Sequence, residues 1–239
     1  MIYLLRYLLI VMSTVFWGVP AVVLGLTDRS GRAVLWIGRR WISWILAACG
    51  IRVRVEGLEH IDPRQPYVFM ANHQSSVDIA AIVQTIPVSF RFVAKRELAL
   101  IPLLGWAIAL GGHVLIDRGN RTRAIRSLQR AAERIRRGTN VIIFPEGTRS
   151  DSGELQGFKK GGFHLAIAAQ VPVLPVTVSG SQRITPKRSL RVESGEVKIV
   201  YGTPIPTNGL ANGDRDELAD AVRAAIEAGY DPAYQERAA

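Results

Sequence analysis

From residue 7 to residue 27 the chain carries no charged side chain, and about 20 apolar residues suffice to cross a bilayer core as a helix. That run can enter lipid. Gly18, Pro20 and Gly25 interrupt it, so a bent, hairpin-like insertion and a full span are both compatible with the pattern. Residues 33–48 follow at once and set Leu35, Trp36, Trp41, Trp44, Ile45 and Leu46 beside Arg39 and Arg40, a mixture suited to the membrane interface. The two segments read as one anchoring unit. The competing readings are a cleaved secretory signal for the first and an ordinary core helix for the second. A third uncharged stretch, 98–114, is broken by Pro102, Gly105, Gly111 and Gly112. Repeated helix breakers predict a buried, irregular segment, either plain core or the lining of a cavity.

Beyond Gly50 the pattern changes to short apolar runs alternating with amphipathic stretches, which predicts an α/β domain. Strands are expected at 52–55, 67–71, 90–94, 141–144, 173–178 and 197–201, and helices at 121–137, 160–169 and 215–227. In the first of these helices Ile125, Leu128, Ala132 and Ile135 share one face, with many arginines opposite. Residues 1–50 thus form the membrane-anchoring part and residues 51–239 the folded domain. The tail after Tyr230 is expected to be loosely ordered.

With 239 residues and 48% hydrophobic content, the chain can bury one continuous core. Thirty Lys and Arg against twenty Asp and Glu give a formal charge of +10, which predicts an anionic partner. Nucleic-acid binders pair such charge with aromatic platforms or a reading motif, whereas the Trp residues here lie mostly among apolar neighbours near the N-terminus. Nucleic acid is therefore not expected, and an anionic membrane is. Cys49 is the single cysteine, so no intramolecular disulfide forms and a cytosol-facing domain fits. His60, His73, His113 and His164 show no ligand spacing, and no metal site is expected.

Candidate chemistry concentrates where predicted strands end. After the apolar run 67–71 come Asn72-His73-Gln74-Ser75-Ser76-Val77-Asp78. On a regular helix a spacing of five turns His73 and Asp78 apart, since neighbours on one face are three or four apart. They can meet only if His73 sits on the turn before the helix. Asp78 would then fix one imidazole nitrogen and leave the other free as a base. Ser75 and Ser76 lie outside any Gly-x-Ser-x-Gly elbow and read as helix caps, and Cys49 has no nearby histidine. The reacting hydroxyl must therefore belong to the substrate. Further on, Phe144-Pro145-Glu146-Gly147-Thr148-Arg149-Ser150 ends another strand. Pro145 and Gly147 force a turn. Glu146, Thr148 and Arg149 present an acceptor, a hydroxyl and a guanidinium together, a set able to grip a hydroxylated phosphate. Arg118 and Lys95, each just after an apolar run, can add positive charge to the same cleft.

These blocks, in this order, resemble the 1-acylglycerol-3-phosphate O-acyltransferases within the glycerolipid acyltransferases. Asn72-His73 with Asp78 resembles the family's His-x4-Asp block, in which the histidine is the general base and the aspartate orients it. Ile116-Asp117-Arg118 is similar to the second block, with Leu115 where phenylalanine is common. Phe144 to Ser150 is similar to the third, and Val171-Pro172-Val173-Leu174-Pro175-Val176 to the fourth. Lys95-Arg96-Glu97-Leu98 resembles a segment whose lysine is associated with the acceptor phosphate. The resemblance implies a glycerol-3-phosphate acyltransferase-like α/β fold, a sheet flanked by helices with an N-terminal two-helix membrane anchor as in bacterial members. It implies catalysis by His73 and Asp78, and substrate binding by Lys95, Arg118, Glu146, Gly147, Thr148 and Arg149. The donor would be acyl-CoA or acyl-carrier protein, the acceptor lysophosphatidic acid or a similar lysolipid, with no metal or organic cofactor. The expected location is the bacterial inner membrane, catalytic domain on the cytoplasmic side. Another lysophospholipid or a lyso-aminolipid as acceptor, and an inactive anionic-lipid-binding module, remain as alternatives.

Overall fold

The computed structural model describes residues 2–117 and 119–236, the side chains of residues 121, 235 and 236 apart. Two antiparallel helices come first, α1 (Ile2–Thr27) and α2 (Arg32–Ala48). The α/β domain then runs β1 (Ile51–Glu56), β2 (Val68–Ala71), α3 (Val77–Thr85), β3 (Phe90–Lys95), α4 (Leu104–Leu110), β4 (Val114–Ile116) and α5 (Arg121–Arg136). It continues through β5 (Asn140–Ile143), α6 (Lys160–Ala169), β6 (Val173–Ser179), α7 (Ser181–Ile184), β7 (Gly195–Tyr201), α8 (Arg215–Gly229) and α9 (Ala233–Glu236).

Among the described residues seven strands form one sheet in the order β1-β7-β6-β2-β5-β3-β4. The run from β6 to β4 is parallel, and β7 turns antiparallel to β6. Parallel strands covered on both faces need apolar side chains at successive positions, and the run Val68-Phe69-Met70-Ala71 supplies them. Phe69 and Ala71 enter the core layer shared with α2 and α3, while Val68 and Met70 enter the opposite layer, against α5, α6 and α8. Pro175 lies inside β6, between the β7 ladder that starts at Val176 and the Val173–Ile205 bridge. Its missing donor therefore falls where neither ladder requires one.

The six expected strands and three expected helices are present, and four expectations change. The uncharged N-terminal run is one continuous helix through Pro20 rather than a hairpin. Its interruptions serve packing: Ser13, Gly18, Ala21 and Gly25 are its buried residues, and a Cβ on Gly25 would lie 2.8 Å from Leu110 Cβ. Small residues let α1 approach α4 closely, as in membrane helix pairs. The 98–114 stretch is only partly buried and takes the cavity-lining alternative: α4 turns Leu104, Ala107 and Ile108 into a cavity, while Leu100, Ile101 and Trp106 face outward. It also contributes the short edge strand β4, which three residues could not announce. The tail is ordered further than expected, because Tyr234 is buried and its hydroxyl donates to Glu196. Ile125 stands exposed on α5, while Leu128, Ala132 and Ile135 of the expected face pack as expected, joined by Ala131.

Candidate active site

His73 leaves the carboxyl end of β2, the strand between β6 and β5. Where β2 stops, the Asn72 side chain continues the pairing: its Nδ2 donates to Val178 O at 2.8 Å and its Oδ1 accepts from Val178 N at 2.7 Å. The chain then turns into α3, and His73 sits on that turn. Its Nδ1 meets Asp78 Oδ2 at 2.9 Å. The same oxygen accepts the backbone N–H groups of Gln74 at 2.7 Å and Ser75 at 2.8 Å. Asp78, inside the first turn of α3, is fully buried, so a carboxylate at a helix N-terminus holds both the loop and the imidazole. Of the two serines read as caps, Ser75 accepts from Val77 N through its Oγ, whereas Ser76 makes no side-chain cap bond. With Nδ1–H donating to Asp78, Nε2 is left as an acceptor, which is what proton abstraction from a hydroxyl requires.

The turn after β5 closes the other side. Phe144 stacks on the His73 ring at 4.1 Å between centroids, Ser150 N donates to His73 O at 2.8 Å, and Gly147 adopts φ +72°, a left-handed conformation natural to glycine. Glu146, expected in a phosphate grip, turns its carboxyl to the backbone. It is buried, with Oε1 accepting from His73 N at 2.6 Å and Oε2 from Gln156 N at 3.2 Å. Burial pushes its carboxyl above the usual range, against the lowering effect of those two backbone donors. A carboxylate held this way braces the histidine from behind. The Gly147 N–H donates to Phe144 O at 3.0 Å and is thereby committed to the turn.

His73, Gly147, Thr148, Arg149 and Lys95 all line one cavity of about 450 Å³. Its remaining walls are largely apolar and come mostly from α1, α2 and α4, including Gly18, Ala21, Val34, Ile37, Leu104 and Ile108. Lys95 pairs loosely with Glu97 at 3.6 Å. Arg118 lies outside the described residues. Four rings, His73, Phe144, Phe92 and His113, follow one another along one wall, with successive centroids 4.1, 6.4 and 5.8 Å apart. His113 accepts the Phe92 N–H on Nδ1 at 2.8 Å; burial, with Arg91 and Arg134 nearby, holds its pKa down to about 4. Asn72, Phe144 and His113 escaped the sequence reading as site residues, since each works through a partner distant in the chain or through ring packing.

An imidazole fixed by a buried carboxylate at the carboxyl end of parallel strands, facing a largely apolar cavity that Lys95 and Arg149 also line, defines an α/β protein with a candidate active site at its strand ends. The chain belongs to the Acyltransferase family, whose sequence profile matches residues 52–179. It is 41% identical over 175 residues to 1-acyl-sn-glycerol-3-phosphate acyltransferase alpha of Homo sapiens, a match covering 73% of this chain and 62% of that protein. The match thus spans less than two thirds of the human relative. The 1-acyl-sn-glycerol-3-phosphate acyltransferase of Saccharomyces cerevisiae is 33% identical, over 98% of this chain and 81% of its own. In structure the chain is similar to the 1-acyl-sn-glycerophosphate (LPA) acyltransferase PlsC of Thermotoga maritima, with TM-score 0.78, 29% identity and 95% of each chain covered.

Proposed function

We propose that this chain transfers a fatty acyl group from a thioester donor, acyl-CoA or acyl-carrier protein, to the sn-2 hydroxyl of 1-acylglycerol-3-phosphate, giving phosphatidic acid. The observation that carries the reading is the 2.9 Å His73–Asp78 contact beside a cavity that His73 shares with Lys95 and Arg149. His73 Nε2 removes the hydroxyl proton as that oxygen forms its bond to the thioester carbonyl carbon. The tetrahedral intermediate then collapses, the carbon–sulfur bond breaks, and the leaving thiolate takes the proton from the imidazolium. Lys95 and Arg149, with Arg118 by sequence, hold the acceptor phosphate, Arg149 by the paired donors of its guanidinium. Because the Gly147 N–H is already engaged, the cavity-lining Thr148 hydroxyl and Arg149 guanidinium are the donors assigned to the oxyanion. Glu146 acts as a positioning residue for His73. No step calls for a cofactor.

The same reading places the protein on one leaflet of a membrane. Helix α1 is long and apolar enough to span, yet the domain touches it near both ends: Arg6 Nη1 donates to Val192 O at 2.7 Å, while Gly25 abuts Leu110. A helix crossing a hydrocarbon core ~30 Å thick would carry one of those ends away from a water-soluble domain. Lying in the interface, α1 instead gives Leu4, Phe16 and Leu26 to lipid, beside Trp36 of α2 and Trp106 of α4. The proposed location is the cytosol-facing leaflet of a bacterial inner membrane, where an anionic surface meets the basic chain and the cavity opens toward lysolipid.

The decisive experiment is an acyl-transfer assay with lysophosphatidic acid and palmitoyl-CoA. The His73→Ala variant is expected to lose transfer by at least ~10²-fold while remaining folded and vesicle-bound. Near-normal turnover in that variant would remove His73 as the base. Vesicle binding by the wild type with no transfer to any lysolipid would favour a lipid-binding module instead.

A further inference from the structure

One strongly charged surface plays no part in the chemistry above. Helix α5 presents Arg123, Arg126, Arg130 and Arg134 along one exposed face, at spacings of three, four and four, and Arg136 and Arg137 extend the charge at its end. Glu133 is the only acid within the helix. Arg123 leans on Asp117 at 3.4 Å and Arg134 donates to the Gly112 carbonyl. Among the described residues Arg126, Arg130, Arg136 and Arg137 have no carboxylate partner within ion-pair distance. Like charges three and four apart weaken a helix, so packing alone does not account for such a face.

Its position is specific. The first turn of α5 follows β4 and is tied through Asp117 to Arg96 as well as Arg123, next to the cavity-lining Lys95. The middle of α5 packs on α6, where Leu128 reaches Gly161. Two further exposed lysines, Lys159 and Lys160, stand there. Lys159 joins the surface to the site: its Nζ lies 2.9 Å from where a Cβ on Gly147 would be. Helices α5 and α6 cover the sheet face opposite α2 and α3. The cations thus run from the active-site turn onto the side away from the apolar anchor, where a soluble donor must arrive.

We infer that the arginine face of α5, continued by Lys159 and Lys160, docks an acidic acyl carrier protein so that its thioester reaches His73. The inference rests on the acyl-transfer reading above. Charge complementarity requires an anionic partner, and the shape of the surface selects among anions. A nucleotide-bearing donor needs a concave site, whereas this face is the open side of a helix. The smaller cleft of about 240 Å³ between α6 and α8 contains Asp216 and Asp220. Its arginines are occupied, Arg215 by Asp216 at 2.7 Å and Arg223 by the carbonyls of Gln156 and Leu155. Lys160 also lines it, but beside Asp216 and Asp220 a single lysine leaves the cleft with little net attraction for a nucleotide phosphate.

The test compares palmitoyl-acyl carrier protein with palmitoyl-CoA as donors for the wild type, Arg126→Glu/Arg130→Glu and Arg126→Lys/Arg130→Lys. Lysophosphatidic acid is presented in uncharged phosphatidylcholine vesicles, and fluorescence anisotropy of labelled acyl carrier protein reads binding directly. The expected result is a loss of about tenfold or more in kcat/KM with the carrier protein for the glutamate variant, unchanged kcat/KM with CoA, and largely retained use of the carrier protein by the lysine variant. The wild-type carrier-protein reaction is also expected to weaken with added salt. Equal losses with both donors, no loss with either, or a defect seen only on anionic vesicles would each overturn the docking surface, the last in favour of the bilayer itself. If the wild type acylates lysophosphatidic acid from neither donor, the functional reading fails separately. Anisotropy then still decides the surface: carrier-protein binding lost on charge reversal upholds it, and no binding by the wild type ends it.

Discussion

Glu146, expected from sequence to bind substrate, is held in the structure by backbone donors, and we propose that it positions His73 instead. A carboxylate repels phosphate, and in the structure its oxygens hold the backbone N–H groups of His73 and Gln156. Replacing it with alanine leaves two inward-facing donors without partners, at about 1–3 kcal/mol each, and frees the turn that aims the imidazole. For Glu146→Ala we expect kcat to fall by roughly tenfold or more with KM for lysophosphatidic acid little changed; Arg149→Gln is expected to raise that KM and to hurt phosphate-bearing acceptors more than neutral ones. A KM defect alone in Glu146→Ala would return the residue to substrate binding. The His73–Asp78 contact was legible because both residues share one strand-to-helix turn. The bracing by Glu146 was not, since it joins residues 73 apart, nor was the Asn72–Val178 pairing across 106. His113 adds a dependence on pH. Its pKa is 6.5 ordinarily and about 4 in the folded chain, so between those values the unfolded chain holds more protons. Stability from this group is intact above pH ~6.5 and falls as pH drops toward ~4, by up to about 3 kcal/mol. Urea unfolding at pH 7, 5.5 and 4 reads the slope. His113→Asn, which keeps an acceptor for Phe92 N–H, is expected to flatten it, and an unaltered slope would assign the acid sensitivity elsewhere.

At the scale of elements, α1 is where sequence and structure part most instructively. Its glycines and proline read as helix breakers, a sound inference for an isolated segment, but the helix has neighbours. Gly18 sits against Leu103, and Gly25 against both Leu110 and Val34, so the absent side chains are the contact surface. Gly25→Val forces a Cβ to within 2.8 Å of Leu110 Cβ and 3.0 Å of Val34 Cγ2. Overpacking of that kind costs typically 1–3 kcal/mol, and here it pushes the anchor off α4 and opens the cavity wall. Val23→Ala alters an exposed position on the same helix and is expected to leave stability in detergent within about 0.5 kcal/mol while weakening vesicle binding. Thermal midpoints beside vesicle sedimentation separate the two effects; equal midpoints for the two variants would mean that α1 is not docked on the domain. The strands, by contrast, were readable: β2, β5 and β6 are buried throughout and show as apolar runs, while β1 and β7 alternate buried positions with more exposed ones. Only β4, three residues long at the edge, carried too little pattern to be seen.

For the molecule as a whole, the proposed function raises the question of how a lipid acceptor and a water-soluble donor reach one imidazole. The cavity that holds His73 is walled in part by α1, α2 and α4, and these elements also carry most of the exposed large apolar side chains among the described residues. On the acyl-transfer proposal, a lysolipid slides its tail from the leaflet into this cavity while its phosphate stays beside Lys95 and Arg149, without either end leaving its preferred medium. That route works only if the anchor lies along one leaflet, since a spanning α1 would draw the cavity wall away from the catalytic turn. Topology decides it. Cysteine placed at Ile2, near the start of α1, and at Leu190, an exposed loop position of the domain, is probed with a membrane-impermeant thiol reagent added outside vesicles that carry the protein on their outer surface. A one-leaflet anchor leaves both positions open to the reagent, with the native Cys49 buried and unreactive. Labelling at Leu190 with protection at Ile2, relieved only by detergent, would mean that α1 crosses the bilayer and that the tail enters by another path.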